Sequence, residues 1–200
     1  MKEKRDRFKE KAPELGSDVF TNITQPERQI NLLLTEFNQL LRTRFNLAEN
    51  EVCITILRID QAAEKLTFLF STLQGRKHTP ASTFFKKQSA AKLCLERGEP
   101  IFHPDKTKAA NKGEYYLSER DKRHNNGTGS IYCFPSVTKT PKKLVNHVIS
   151  VVTYNKHLVF LGDKEETDSI KEILNDICRR IDLELTLMSI KEWDNEKEKI

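Results

Sequence analysis

The sequence predicts an α+β fold, and three observations predict it. Two pairs of strand-like runs are joined by links too short for a crossover, so each pair is an antiparallel hairpin. Two stretches, one near each end of the domain, repeat apolar residues at helical spacing. One run, 145–154, is apolar on both parities (Val145, Ile149 and Val151 against Val148, Val152 and Tyr154), and a strand of that kind is covered on both faces.

The elements follow in order. Thr24-Gln25-Pro26-Glu27 reads as a capping box, with Thr24 as cap and Glu27 reaching back. Ile30, Leu33, Leu34, Phe37, Leu40, Leu41 and Phe45 then keep helical spacing over about five turns. Residues 51–59 and 65–71 are rich in β-branched and aromatic side chains and form the first hairpin. A second helix is predicted over 82–97, stopped by Gly98. A short extended piece follows at 101–103. The polar stretch 104–128 has one apolar anchor, Tyr115-Tyr116-Leu117, placed on a single helical turn. The second hairpin pairs 130–137 with 145–154, and the latter is expected at the centre of the sheet. In 130–137, Tyr132 and Phe134 share one face, Ile131 and Cys133 the other. The last helix starts near Glu166. Its stripe Ile170, Ile173, Leu174, Ile177, Ile181, Leu185 and Met188 suits a sheet. A second stripe, Leu183, Leu187, Ile190 and Trp193, asks for a partner helix, which the sequence suggests is the same helix of a second chain.

The chain has 200 residues, which suits one domain with extensions: a charged arm and linker over 1–22, the domain over 23–193 and a charged tail over 194–200. With 37% hydrophobic and 32% charged residues, the core is modest. No apolar run is long enough to cross a membrane, and residues 1–11 lack a signal-peptide core. Cys53, Cys94, Cys133 and Cys178 are widely spaced, which excludes a zinc ribbon or a disulfide scaffold. A cytoplasmic location is therefore the expectation.

Three segments carry a family likeness: residues 90–102 (AAKLCLERGEPIF), residues 129–135 (GSIYCFP), and Val148 to Thr153 followed by Phe160 and the long helix. In these, and in element order over about 26–190, the chain resembles the GAF family of small-molecule-sensing domains. It departs at Ser150, where the family often has glycine. The resemblance implies an antiparallel sheet of five or six strands. The long terminal helices would cover one face. A ligand pocket would lie on the other, roofed by the middle helix and the 104–128 stretch.

No phosphate-binding loop, nucleophile elbow or zinc-protease motif is present, so catalysis is not expected. The five histidines show no metal-ligand spacing, and His147 reads as a satisfied strand histidine. No metal or cofactor is therefore expected. Some GAF proteins reduce methionine sulfoxide through pocket-loop cysteines; here 104–128 contains none. Charge is more telling. Residues 76–143 hold 15 basic and 6 acidic side chains, while the remainder holds 19 and 23. Positive charge thus concentrates on the segments that would rim the pocket. Arg76, Lys77, Lys86 and Lys122 would steer anions. Phe84, Phe85, Tyr115, Tyr116, Arg123, Ser130 and Tyr132 would contact a ligand, since aromatic faces beside cations suit a base and its phosphate. The leading expectation is a non-catalytic regulatory sensor. It would bind a small anionic or nucleotide-like ligand and signal through its terminal helices in a homodimer. The alternatives are a ligand-free dimerisation or scaffold module, and a nucleic-acid-binding domain using the basic 76–143 surface.

Overall fold

The computed structural model describes residues 24–60, 62–72, 80–124 and 127–197. The arm over 1–22, Arg76 and Lys77 lie outside the described residues. Helix α1 (Pro26–Phe45) buries Ile30, Leu34, Phe37 and Leu41 along one stripe. Pro26 at its first position loses no hydrogen bond there. The expected capping box does not form. Gln25 is the N-cap and makes no side-chain cap bond. Glu27 is turned instead to Lys191 near the other end of the chain, whose Nζ donates at 2.9 and 3.1 Å.

Strands β1 (Val52–Asp60) and β2 (Lys65–Ser71) form the first hairpin. The helix expected over 82–97 is two helices, α2 (Ala81–Lys86) and α3 (Ala90–Arg97). Ser89 explains the break: its hydroxyl accepts from the Lys92 N–H, a capping bond that a continuous helix has no use for. Gly98 ends α3 at φ 66, as its position suggested. After β3 (Ile101–His103), the polar stretch holds two short helices, α4 (Lys106–Asn111) and α5 (Glu119–Arg123). Tyr115, Tyr116 and Leu117 lie on the connection between them, not on a helical turn. The physical reason is local. Asp105 and Ser118 each cap the helix that follows, so both helices begin beyond a polar residue.

Strands β4 (Ile131–Lys139) and β5 (Leu144–Thr153) pair in continuous register, and the chain ends in α6 (Lys164–Lys197). The sheet is antiparallel throughout, with order β2-β1-β5-β4-β3. β5 is thus the central strand that its two apolar parities demanded.

The alternation of the strands divides the interior in two. On one face Ile54, Ile56, Tyr132, Phe134, Ile149 and Val151 meet α1 and α6, with Leu174, Cys178, Ile181 and Leu185 from the latter. On the other, Leu57, Ile59, Ile131, Cys133 and Val148 meet Phe84, Ala90, Ala91 and Cys94 of the shorter helices. His147 belongs to the first face. It is fully buried, and its Nε2 accepts from Arg58 Nε at 3.2 Å, while Nδ1 has no partner. It is therefore only half satisfied, contrary to expectation. Burial, then the Arg58 charge, lower its pKa to about 4.

Gly129 has a steric role. Its φ of +134 favours glycine, and a Cβ there would lie 2.2 Å from the Thr153 carbonyl oxygen. Its own carbonyl accepts from the Lys106 N–H at 2.9 Å. We expect Gly129→Ala to destabilise the fold by about 2–4 kcal/mol, measured by urea denaturation, because backbone must move to admit the methyl.

Candidate cavity on the open face of the sheet

The second sheet face carries a cavity of about 500 Å³. Its floor comes from four adjacent strands: Thr55 and Leu57 of β1, Leu66 and Phe68 of β2, Ile131 of β4, and Ser150 and Val152 of β5. Its roof comes from α2 and α3 (Thr83, Phe84, Ala90, Ala91) and from the stretch between Tyr115 and Arg123. Ser150, which replaces the glycine common in the resembled family, puts its hydroxyl in the floor and accepts from Cys133 Sγ at 3.8 Å.

The roof is held by a buried ion pair. Lys106 and Asp121 are 0% and 1% exposed, with Nζ to Oδ1 at 2.7 Å. Asp121 Oδ2 accepts three further hydrogen bonds, from Tyr115 Oη at 3.0 Å, Ser118 N at 2.9 Å and Ser118 Oγ at 2.6 Å. Burial by itself raises the Asp121 pKa; the Lys106 charge and these bonds outweigh it and leave the carboxyl below its usual range. Burial, then the Asp121 charge, hold the Tyr115 phenol protonated, so it acts as a donor. The Lys106 ammonium also lies 4.4 Å from the Tyr154 ring centroid, and Arg120 lies 4.6 Å from the same ring.

The expected ligand contacts divide. Phe84, Tyr115, Tyr116 and Arg123 line the cavity. Tyr132 does not. It stands on the helix face of β4, and its hydroxyl donates to Asn175 of α6. The even–odd alternation that paired Tyr132 with Phe134 already put it there, because Ile131 and Cys133 take the cavity side. Ser130 is buried in a structural role, donating to the Pro104 carbonyl and accepting from the Leu158 N–H. Phe85 packs edge-on to Phe84 outside the lining. Of the steering cations, Lys86 is exposed away from the cavity, and Lys122 is paired with Glu119 at 2.9 Å. Sequence reasoning missed Lys87, Arg120 and Tyr154, all of which line the cavity. The expectation of a continuous second helix gave no reason to place Lys87 at its broken end.

The thiols stay clear of chemistry here. All four cysteines are buried. Burial pushes Cys133 up to about 12, and it raises Cys94 and Cys178 as well, so these three are protonated at neutral pH.

The five-stranded antiparallel sheet, the terminal helices on one face and the roofed cavity on the other are the arrangement that the sequence resemblance implied. The class is a GAF-like α+β domain. Two of the solved structures similar to the chain are GAF domains. One is the GAF domain/HD domain protein from Geobacter sulfurreducens, at 14% identity, covering 80% of this chain and 94% of that one, with a TM-score of 0.44. The other is the GAF domain from a phosphoenolpyruvate-protein phosphotransferase of Coxiella burnetii, at 14% identity, covering 84% and 95%, with a TM-score of 0.43. No protein-family model and no curated protein matches the chain.

Breaking the roof pair from one side leaves a buried charge. Asp121→Asn should cost about 3–5 kcal/mol in chemical denaturation. Lys106→Met combined with Asp121→Asn should be more stable than Asp121→Asn alone, because the stranded ammonium is gone. The sign with pH follows from the lowered carboxyl. Its contribution is complete above the ordinary carboxylate pKa and is lost as pH falls through the depressed one, so in acid the wild type should lose its advantage over Asp121→Asn, whose Lys106 ammonium is stranded in the same way.

Proposed function

We propose that this chain is a non-catalytic regulatory sensor domain that binds a small molecule in the cavity on the open sheet face. The observation that carries the reading is the cavity itself. A volume of about 500 Å³ lies within the range of small-molecule sites, and its apolar floor has a few hydroxyls and cations around it. A scaffold module filled by its own side chains would have no use for such a space. The basic residues also favour a pocket over a nucleic-acid surface. Lys87, Arg120 and Arg123 gather at the cavity, while Lys139, Lys142 and Lys143 sit at the far end of β4, around its turn into β5.

Occupancy has a route to the terminal helices. Arg120, in the cavity wall, donates from Nη2 to the Asn50 carbonyl at 3.1 Å. Asn50 lies in the short connection from α1 to β1. A ligand that engages Arg120 differently in two states of that connection biases them, and no other kind of ligand does.

The same reading makes the outer side of α6 a dimer seam. Leu183 is 57% exposed there, and Leu187 and Ile190 share its side of the helix. Trp193 follows Ile190 by one turn on the same helix and completes the seam. Leu32 and Leu40 of α1 are exposed as well.

Mass spectrometry of the denatured, natively purified protein should reveal a stoichiometric small molecule, or a metabolite screen should raise its melting temperature. A saturating ligand at a hundred times Kd adds about 2.7 kcal/mol of stability. A protein that carries nothing and responds to nothing in such a screen would count against the sensor. Sedimentation at tens of micromolar should give a dimer. Leu183→Glu with Leu187→Glu should give a monomer with cooperative unfolding, since a charge in an apolar seam is uncompensated; a monomeric wild type would rule out the seam.

A further inference from the structure

The cavity wall is chemically divided, and the division points to a ligand class; this rests on the reading of the cavity as a ligand site. The floor is mostly apolar, built by Leu57, Leu66, Phe68, Ile131 and Val152, with Thr55 and Ser150 as its two hydroxyl residues. The roof brings three cations to the wall, Lys87, Arg120 and Arg123. It also brings two carboxylates, Glu119 and Asp121, but each already has its cation. Lys106 holds Asp121 at 2.7 Å and Lys122 holds Glu119 at 2.9 Å, and neither lysine lines the cavity.

The hydrogen-bond and ring partners of the three wall cations are neutral. The Lys87 ammonium lies 4.1 Å from the Tyr116 ring centroid. Arg123 Nε donates to the Glu119 carbonyl at 3.2 Å. Arg120 donates Nη2 to the Asn50 carbonyl and rests on Tyr154, while its Nε is buried with no acceptor. A buried guanidinium donor without an acceptor is costly, so the Arg120 side chain is not locked by its own hydrogen bonds, and its guanidinium stands at the cavity wall. An arginine fork suits two oxygens of one anionic head.

We propose that the ligand is an amphipathic oxyanion: a flat, largely apolar body over the strand floor, with one carboxylate or phosphate head turned to Arg120, Arg123 and Lys87. The apolar body supplies most of the affinity and the head fixes orientation.

Matched probes on the intact chain test this by calorimetry: 2-naphthoate, 2-naphthyl phosphate, 2-naphthamide, and acetate and inorganic phosphate as bare heads. At least one naphthyl anion should bind tenfold or more tighter than the amide, and the bare heads should not bind measurably. The better of the two anions identifies the head. Arg120→Gln should weaken the anion about tenfold and leave the amide unchanged, with cooperative unfolding retained. Arg123→Gln, on a more exposed residue, gives a second reading should Arg120→Gln fail to fold. Equal affinity for naphthoate, naphthyl phosphate and naphthamide would overturn the class. So would a neutral molecule recovered from the native protein, although the sensor reading would survive it. Absence of binding by every probe and by any cellular molecule would overturn both.

Discussion

The cavity exists because a single ion pair holds down its roof. Lys106 and Asp121 are both essentially inaccessible, and removing two charges from water costs several kcal/mol each before they attract one another. The cost is offset here by number. Asp121 accepts four hydrogen bonds, and Lys106 adds the face of Tyr154. Such a network contributes little net stability over an apolar substitute, but it tolerates few alternative arrangements. It fixes where the polar stretch after β3 must lie. That stretch has too few apolar residues to find its place by burial. The position of Lys106 is set in turn by Gly129, whose carbonyl takes the lysine's backbone N–H.

Below the roof, the sheet is a partition. Period-two alternation sends Ile54, Ile56, Ile149 and Val151 to the long helices and Leu57, Ile131, Val148 and Val152 to the other side. The two sides then differ in density. The helix side is closed by α1 and α6, tied to each other by Glu27 and Lys191, while Arg58 of β1 holds Glu192 of α6 at 2.8 Å. Among the described residues, the cavity side is covered by helices of eight residues or fewer and by connections. Short helices cannot bury a strand floor completely, so the open space falls on that face.

Most of the fold was legible because it is written in periodicity. The five strands, the long terminal helices and the central place of β5 followed from spacing and from two apolar parities. The roof was less legible. Its helices are too short for a periodic signal, and Ser89 breaks a stretch that composition alone would make continuous. For the cavity itself, Phe84, Tyr115, Tyr116 and Arg123 were reachable as aromatics and cations on the right segment. Tyr132 was misplaced by reading residue type ahead of strand parity, which sets the face. Lys106 and Asp121 were not reachable. Fifteen residues separate them, and nothing in the chain distinguishes a buried lysine from the solvated ones around it.

The roof network also bears on how a bound molecule would be felt elsewhere. Arg120 and Asp121 are neighbours on one short helix, yet they point into different problems. Asp121 is saturated, so a ligand gains nothing by approaching it. Arg120 has a donor without an acceptor, one bond to the Asn50 carbonyl and a place on the cavity wall. It is therefore the group on which a ligand and the α1–β1 connection compete or cooperate. The connection is itself fastened to the end of β5. Glu51 gives its carbonyl to the Tyr154 N–H and its side chain to Asn155, and Lys156 reaches the Asn46 carbonyl at the end of α1. In the proposed sensor, a shift of Arg120 is thus applied where α1 ends, against a rigid central strand. The helix moves relative to the sheet only if the ligand prefers one position of Arg120 by more than the Asn50 hydrogen bond opposes, on the order of 1.5–3 kcal/mol for a charged donor.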